Sequence, residues 1–345
     1  MNDYYNRRVS RRHSRGWLFV PFLIFLIFAG LYSAYWVWMR GELDKGVDQW
    51  IADQRAAGFE IDYASKRLVG YPFRFALHLE QPEMADPKGL RWRGETLQLV
   101  MQPWNLQHVI GRSPGRNRVE SAQTAPMEIT LGDKSALSLS WDQTSLRRVG
   151  LTIDAAEAQT SQGAAMIEDL RLSLGPKAGA EDDLRIAAQW TAMRLPSPPP
   201  EAAWLGETLA PGRIAVDVSQ LFPALESATA LSRWTALEGR VTIAQILVDW
   251  GPMKLGVKGD LGLDRALRLN GSLSTRIDEA DRLRAALREA GALDAQTAQT
   301  VDILETASAN GQFATVSFVD GEAVFLGRSL GEVPVADTLA ALFAP

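Results

Sequence analysis

The apolar positions of this sequence form two patterns, a continuous run near the start and a series of alternating segments after it. The run extends from Trp17 to Met39 and contains no charged residue. A helix needs about 20 apolar residues to cross the ~30 Å hydrocarbon core of a bilayer, so the run predicts one transmembrane helix over residues 17–39. A cleavable signal peptide is the alternative. Its apolar part is usually shorter, however, and is followed by small residues instead of aromatic ones.

A helical period continues beyond this run. Leu43, Val47, Trp50 and Ile51 recur at the spacing of one helix face, which predicts an amphipathic stalk helix over residues 40–58. The stalk either packs on the domain that follows or lies on the lipid surface. Packing on the domain is the simpler expectation.

The period then changes from that of a helix to that of a strand. Every odd-numbered residue from Val69 to Leu79 is apolar, which predicts one long, half-buried strand over residues 69–80. Pro72 would place this strand at a sheet edge or at a bulge, because proline cannot donate to the ladder. Further antiparallel strands are predicted at 95–102, 136–141, 146–155, 166–174, 184–190, 212–219, 239–249, 253–263, 267–276, 314–319 and 323–326. Helices are predicted at 221–237, 278–290, 295–307 and 335–343.

These elements predict a mainly β fold of the α+β class. Its long, half-buried antiparallel strands are accompanied by one N-terminal transmembrane helix and a few peripheral helices. The residues after the stalk form two β-rich regions, 59–195 and 202–345. Between them, the proline-rich segment 196–201 is either a linker or a stiff crossover. We expect the two regions to be continuous.

Charge adds an orientation to this picture. Five arginines precede the apolar run, whereas the whole chain has a net charge of −5. Basic segments normally stay on the cytoplasmic side of a membrane helix. We therefore expect the tail 1–16 in the cytoplasm, and the large acidic part in the periplasm of a bacterium whose inner membrane holds the helix. The residues expected at the membrane interface are Arg11, Arg12, Arg15, Trp17, Trp36 and Trp38.

Candidate chemistry is sparse. The chain has no cysteine and three histidines, which excludes thiol catalysis, disulfides and cysteine-bound metals. Residues 111–115 fit the G-x-S-x-G pattern of serine hydrolases, but Pro114 follows Ser113 and lacks the N–H that would complete an oxyanion hole. We expect no enzyme, no catalytic residue, no metal and no cofactor, with a hydrolase at Ser113 as a remote alternative. Nucleic acid is not an expected partner, because the exported part is acidic.

Short motifs point to a family. The pentapeptide over residues 70–74, the segments 248–252 and 259–264, and the C-terminal stretch 320–334 together resemble the "domain of unknown function 2125" proteins of Gram-negative bacteria. The strand texture over 257–273 is less closely similar to AsmA-like envelope proteins. That second resemblance implies a membrane-anchored periplasmic domain that supports outer-membrane biogenesis or carries lipid along an apolar groove. The candidate family-motif and apolar-face residues are Gly70, Tyr71, Pro72, Phe73, Arg74 and Phe75.

Three functional hypotheses remain open at this point. The first is a lipid-binding or acyl-chain-binding domain that supports envelope biogenesis, with membrane lipid as its partner. The second is a protein-interaction scaffold of an envelope complex, which would use the polar strand faces or the predicted helical hairpin over 278–309. The third is the hydrolase around Ser113. The structural alternative to the first hypothesis is that the apolar strand faces simply pack on each other as a closed core. Oligomeric state and ligand identity are left open by the sequence.

Overall fold

The computed structural model describes most of residues 19–332. The gaps are 122–123, 143–144, 161–162, 199, 226–229 and 309–311. The basic tail, Trp17 and the helix predicted over 335–343 lie outside the described residues.

One helix begins the described chain. Helix α1 (Val20–Ala56) is 37 residues long and continuous, which gives it a length of about 55 Å at 1.5 Å per residue. Its first half is long and apolar enough to cross a membrane, and almost all of that half is exposed to the surroundings of the protein. The helix ends before Gly58, which has a φ of +92°. The predicted membrane run and stalk are therefore parts of one rod.

The rest of the described chain is dominated by one antiparallel sheet of 22 strands. The first eleven strands are β1 (Glu60–Asp62), β2 (Ser65–Val69), β3 (Phe75–Glu80), β4 (Glu83–Ala85), β5 (Arg91–Gly94), β6 (Thr96–Gln102), β7 (Asn105–Arg112), β8 (Gly115–Ser121), β9 (Thr124–Leu131), β10 (Ala136–Asp142) and β11 (Ser145–Thr160). The others are β12 (Gly163–Lys177), β13 (Ala180–Trp190), β14 (Ala192–Arg194), β15 (Thr208–Leu209), β16 (Gly212–Val218), β17 (Arg240–Trp250), β18 (Met253–Leu263), β19 (Leu269–Asp278), β20 (Ala314–Val319), β21 (Glu322–Phe325) and β22 (Arg328–Glu332).

The sheet is a meander in which chain neighbours are also sheet neighbours. Several pairs of consecutive short strands, such as β5 with β6 and β7 with β8, are the two halves of one longer, interrupted strand. Each half pairs with a half of the neighbouring interrupted strand, as β6 does with β7 and β5 does with β8. Strand β11, for example, pairs with β10 through residues 145–152 and with β9 through residues 156–159. This arrangement confirms the predicted fold class.

The strand predicted over residues 69–80 is wrong as a single element. Strands β2 and β3 form a hairpin instead, with Leu68 opposite Leu77. Residues 70–74 make the turn, in which the N–H of Arg74 donates to the carbonyl of Gly70. Gly70 has a φ of +117°, and a Cβ on it would lie 2.6 Å from the carbonyl oxygen of Arg74. The alternation misled the prediction because apolar residues continue at every second position through the turn.

Four further α-helices accompany the sheet within the described residues. The region predicted as one helix over 221–237 contains two helical segments, one on each side of residues 226–229. The helical hairpin predicted from residue 278 is present. The helices are α2 (Leu221–Leu225), α3 (Ala230–Ala236), α4 (Ala280–Glu289) and α5 (Ala295–Ser308).

The proline-rich segment connects paired strands. A 3₁₀ helix (Pro200–Leu205) lies within the connection from β14 to β15. Strands on its two sides pair directly, β14 with β15 and β13 with β16. The hydrogen-bonded sheet therefore runs through this connection.

Three small core clusters hold the helices against the sheet. The first joins α1 to β2, β3 and β6 around Trp36 and Phe75. The second joins α4 and α5 to β18 and β19, and the third joins α2 and α3 to β13, β16 and β17. Cross-strand register places the sheet residues of all three clusters on one face. The described helices therefore all lie on the same side of the sheet.

Candidate functional site

The face that carries the helices also carries a broad apolar surface between them. Successive side chains of a strand point to opposite faces, so the pairing register tells which residues share a face. One cross-strand row on this face consists of Leu137, Leu151, Leu172, Ala188, Ile214, Ile246 and Val257. The next row consists of Leu139, Val149, Leu174, Ile186, Val216 and Ile243. Both rows contain only aliphatic residues and alanine.

We call the part of this surface on β10, β11 and β12 the apolar track. It follows the three strands from one end of the sheet to the other. Its residues are Leu137, Leu139, Trp141, Leu146, Val149, Leu151, Ile153, Ala156, Ala158, Ala165, Ile167, Leu170, Leu172 and Leu174.

The apolar track is uncovered. None of its residues is fully buried, and none belongs to the three core clusters of the described residues. Leu77 in the α1 cluster shares a cross-strand row with Leu137, so α1 covers one flank of the face and leaves the track beside it open. Soluble surfaces rarely leave so much contiguous apolar area in water unless it meets an apolar partner.

A shift of alternation keeps the track continuous along β11. Ile153 and Ala156 are three residues apart, yet both line the same cleft. The register between β11 and β12 is the same on both sides of this point, and it leaves Asp154 and Asp169 unpaired, so the two strands change their alternation together. Asp154 faces the other way, where it accepts hydrogen bonds from the hydroxyl of Ser135 and the N–H of Lys134. The track therefore passes the bend without losing its apolar character.

The far end of the track is a cleft of about 420 Å³. This volume is within the range of ordinary ligand pockets. Three alanines, Ala156, Ala158 and Ala165, make its floor shallow and leave room for a guest. The remaining lining residues are Trp92, Ser113, Asn117, Val119, Met127, Ile129, Leu131, Ile153 and Ile167.

The near end of the track lies on the same sheet edge as two hairpin tips that touch α1. The hydroxyl of Tyr32 donates to the carbonyl of Pro72 at 2.5 Å, and the hydroxyl of Tyr35 donates to the carbonyl of Pro103 at 3.0 Å. Both tyrosines lie near the end of the apolar run, where the helix would leave a bilayer. The two tips, residues 70–74 and 103–104, therefore lie beside the end of the apolar run of α1.

Aromatic side chains project from these tips. Tyr71 is 55% exposed, Phe73 is 72% exposed and Trp104 is 65% exposed. Exposed aromatic residues of this kind are typical of membrane–water interfaces. From Leu146 beside this edge to Ala158, the track runs 12 residues along β11, or about 40 Å at ~3.3 Å per residue. It thus leads from the edge with the hairpin tips to the far cleft.

The predicted interface residues have different positions. Trp38 is exposed on α1, whereas Trp36 is 5% exposed and stacks on Phe75 with ring centroids 5.2 Å apart. Tyr71 packs edge-on against the same indole at 5.4 Å. Arg74 contributes its carbonyl oxygen, which lies 3.4 Å from the indole nitrogen of Trp36. The pentapeptide over residues 70–74 and Phe75 therefore attach the sheet to the helix.

Ser113 has a structural position at the bend between β7 and β8. Its hydroxyl oxygen lies 2.8 Å from the carbonyl oxygen of Thr96 and 2.7 Å from Oδ1 of Asn117. Neither neighbour is a base that could activate a serine. Asn117 is buried, and it donates to the carbonyls of Ser113 and Gly115. In the described part of the chain, no group of three His, Cys, Asp or Glu side chains comes close enough to hold a metal ion.

The opposite face of the sheet is polar and contains ion pairs. The carboxylate of Asp217 on β16 accepts two hydrogen bonds from Arg185 at 2.7 and 2.8 Å and pairs with Lys177 at 3.0 Å. The Arg185 guanidinium, followed by Lys177, lowers the pKa of Asp217 to about 2.

This pairing predicts a loss of stability in acid. The pKa of Asp217 is lower in the folded state than in the unfolded chain, so the pair stabilises the fold above pH ~4, and this stability is lost as the pH falls towards 2. The contribution is up to about 2 kcal/mol at 1.36 kcal/mol per pKa unit. Denaturant unfolding at pH 6 and pH 2.5 should therefore show a smaller acid-induced loss in Asp217→Asn than in the parent chain. An equal loss of unfolding free energy in Asp217→Asn and in the parent chain would contradict this contribution of the Asp217 ion pair.

Comparison with known proteins adds one finding. A family model described as "Uncharacterized protein conserved in bacteria (DUF2125)" matches residues 36–336. The chain belongs to the DUF2125 family. No curated protein and no solved structure matches the sequence.

The DUF2125 match covers α1 from Trp36 onward and the whole described sheet. Two glycines of the motifs quoted above have clear structural reasons. Gly70 lies in the turn that packs against α1. Gly251 has a φ of +56°, and a Cβ at this position would collide with the carbonyl oxygen of Leu205. These two motif glycines are therefore required by the backbone conformation of the fold. The family description assigns no activity.

Proposed function

We propose that this DUF2125 protein is a non-enzymatic, membrane-anchored domain that binds acyl chains of membrane lipid along its apolar track and supports envelope biogenesis. The supporting observation is the uncovered apolar track itself, which begins beside the hairpin tips that contact the end of the apolar run and ends in an apolar cleft. A face built to be a closed core would have helices over it, as its flanks do. An acyl chain would remove the track from water in the same way.

The track has the dimensions for this ligand. At about 40 Å it is longer than the half-thickness of a ~30 Å hydrocarbon core, which is the depth that one acyl chain spans. The far cleft of about 420 Å³ gives the end of a chain an enclosed position. Burial of each CH₂ group contributes roughly 0.8 kcal/mol, so even part of a chain would bind favourably. Lipid analysis of the full-length chain, purified in mild detergent, tests this proposal. We expect bound phospholipid, and repeated absence of lipid would overturn it.

We further propose that the helix stays in the inner membrane, with the N-terminus in the cytoplasm and the sheet in the periplasm. Because the chain has no cysteine, a single introduced cysteine reports on one position only. Lys88 lies in the exposed turn between β4 and β5, at the opposite end of the sheet from the tips. A membrane-impermeant maleimide should label Lys88→Cys in cells with a permeabilised outer membrane. Labelling only after the inner membrane is broken would contradict this orientation.

The same labelling design tests the level of the tips. Trp104→Cys should react too, but a polarity-sensitive fluorophore attached there should emit at a shorter wavelength than one attached at Lys88→Cys. The reason is that the tip lies at the lipid interface whereas Lys88 lies in water. Equal emission from both positions would contradict the placement of the tips.

A further inference from the structure

The polar face of the sheet contains a second cleft, directly behind part of the apolar track. Its floor is a cross-strand row of small residues on five neighbouring strands. Longer side chains flank this row of small residues, so the surface forms a depression in which the strand backbone is accessible. The cleft has a volume of about 540 Å³. The residues of the row are Ser138, Gly150, Ser173, Ala187 and Ala215.

Four basic side chains surround this floor, namely Arg112, Lys134, Arg171 and Arg213. Within the described residues, none of these four charged groups makes an ion pair or a side-chain hydrogen bond. None of the described residues that line the cleft is acidic. Asp169 lines the adjoining cleft beside Arg171 and Arg213, without an ion pair to either.

The contrast with the rest of the same face is informative. Two residues along β16 from Ala215, the carboxylate of Asp217 takes both Arg185 and Lys177 as partners. Arg240 is likewise paired with Asp260. The chain as a whole has more acidic than basic residues. Four cations without ion pairs therefore surround one hollow whose described lining contains no acidic residue, which is a local exception in an acidic protein.

The spacing of the cations suits a ligand with several anionic groups. Arg171 and Arg213 share a cross-strand row and are separated by two strand spacings, or about 10 Å. Arg112 is three strand spacings from Arg171 on the other side, at about 14 Å. A single small anion could not reach all four groups, whereas a chain of phosphoryl groups could.

The residue types favour phosphoryl groups. A guanidinium presents two parallel N–H donors that match phosphate oxygens, and three of the four cations are arginines. The hydroxyl of Ser173 on the floor adds a neutral donor. The hydroxyl of Ser138 lies 2.7 Å from Nε2 of His108, so it already has a partner. The shallow floor lets a flat or extended ligand approach these donors closely.

We propose that this cleft is a binding site for a ligand that carries two or more phosphoryl groups. The ligand is either a free phosphorylated solute or a lipid headgroup. The site is independent of the apolar track, because it lies on the opposite face of the same strands. Its test therefore does not depend on whether the track holds acyl chains.

Titration calorimetry of the full-length chain in neutral detergent, with inorganic tripolyphosphate as the probe, tests the site. We expect saturable binding that becomes at least about tenfold weaker in the double variant Arg171→Gln/Arg213→Gln, because two charge-assisted contacts are lost. The matched control is Arg265→Gln/Arg288→Gln. It removes the same charge from exposed arginines that lie elsewhere and have no ion pair among the described residues. The control should bind as the parent chain does, and all three proteins should unfold at the same denaturant concentration.

Three results would overturn the proposal. They are no saturable binding by the parent chain, equal weakening in both double variants, or equal affinity for citrate, which offers carboxylates instead of phosphoryl groups. A second titration with short-chain diacylglycerol pyrophosphate, a lipid whose headgroup carries two phosphoryl groups, identifies the source of the ligand. Binding of both probes with the same loss in Arg171→Gln/Arg213→Gln would indicate a lipid headgroup. Binding of tripolyphosphate alone would indicate a free solute.

Discussion

Ala158→Glu should remove most of the phospholipid that copurifies with the full-length chain, at least about tenfold relative to protein. Ala158 lines the floor of the far cleft, where the other lining groups are almost all apolar. A carboxylate placed against an acyl chain either stays unpaired in an apolar environment or keeps water in the cleft. Both cost several kcal/mol, whereas a tenfold loss of affinity needs only about 1.4 kcal/mol. Quantitative lipid mass spectrometry on equal amounts of purified protein measures the effect.

Gln159→Glu is the matched control for this prediction. It introduces the same side chain one residue further along β11, at an exposed position on the other face. Lipid content should not change in this variant. Ala165→Trp is a second variant without added charge. It should also lower the lipid content, because the indole would fill the cleft from β12. If both Ala158→Glu and Ala165→Trp retained lipid at the parent level, the far cleft would not be part of the lipid-binding site.

Phe75→Ala should lower the free energy of unfolding by about 3–5 kcal/mol, the usual cost of removing a fully buried phenylalanine. Phe75 is 1% exposed and stacks on Trp36, so its ring is a fully buried contact between α1 and the sheet. The loss should also free the tip at residues 70–74 from α1. Denaturant unfolding in one detergent, together with limited proteolysis of the stalk, measures both effects.

Phe73→Ala separates this effect from a general sensitivity of the hairpin. Phe73 is two residues away in the same hairpin and is exposed, so its truncation should change the free energy of unfolding by less than about 0.5 kcal/mol. The anchor contact would then be specific to the buried ring. If the two variants were equally stable, the sheet would not be attached to α1 through Phe75.

The elements that depend on long regular patterns could be predicted from the sequence. The transmembrane helix followed from an unbroken apolar run, and the antiparallel sheet from alternating residues between turn signals. The helical hairpin after residue 278 was found at nearly its correct limits because Gly291 separates two periodic segments. In each of these cases the period of the chain is the direct cause of the element.

The features that arise from register could not be predicted in the same way. The turn at residues 70–74 keeps a strand-like alternation, so its apolar residues were assigned to a strand. Trp36 belongs to an apolar run, and nothing in that run shows that it meets Phe75. The apolar track needs a shift of alternation between Ile153 and Ala156, and its continuity across strands exists only once those strands are paired. The basic cleft gathers residues from six different strands.

Photo-crosslinking in living cells tests the central claim of an acyl chain on the apolar track most directly. A photoreactive phenylalanine analogue at Ile167 would lie in the far cleft, and the same analogue at Glu168 would lie on the opposite face of β12. We expect lipid adducts from position 167 and none from position 168. Protein adducts from position 167 without lipid would contradict the account and support a scaffold of an envelope complex instead.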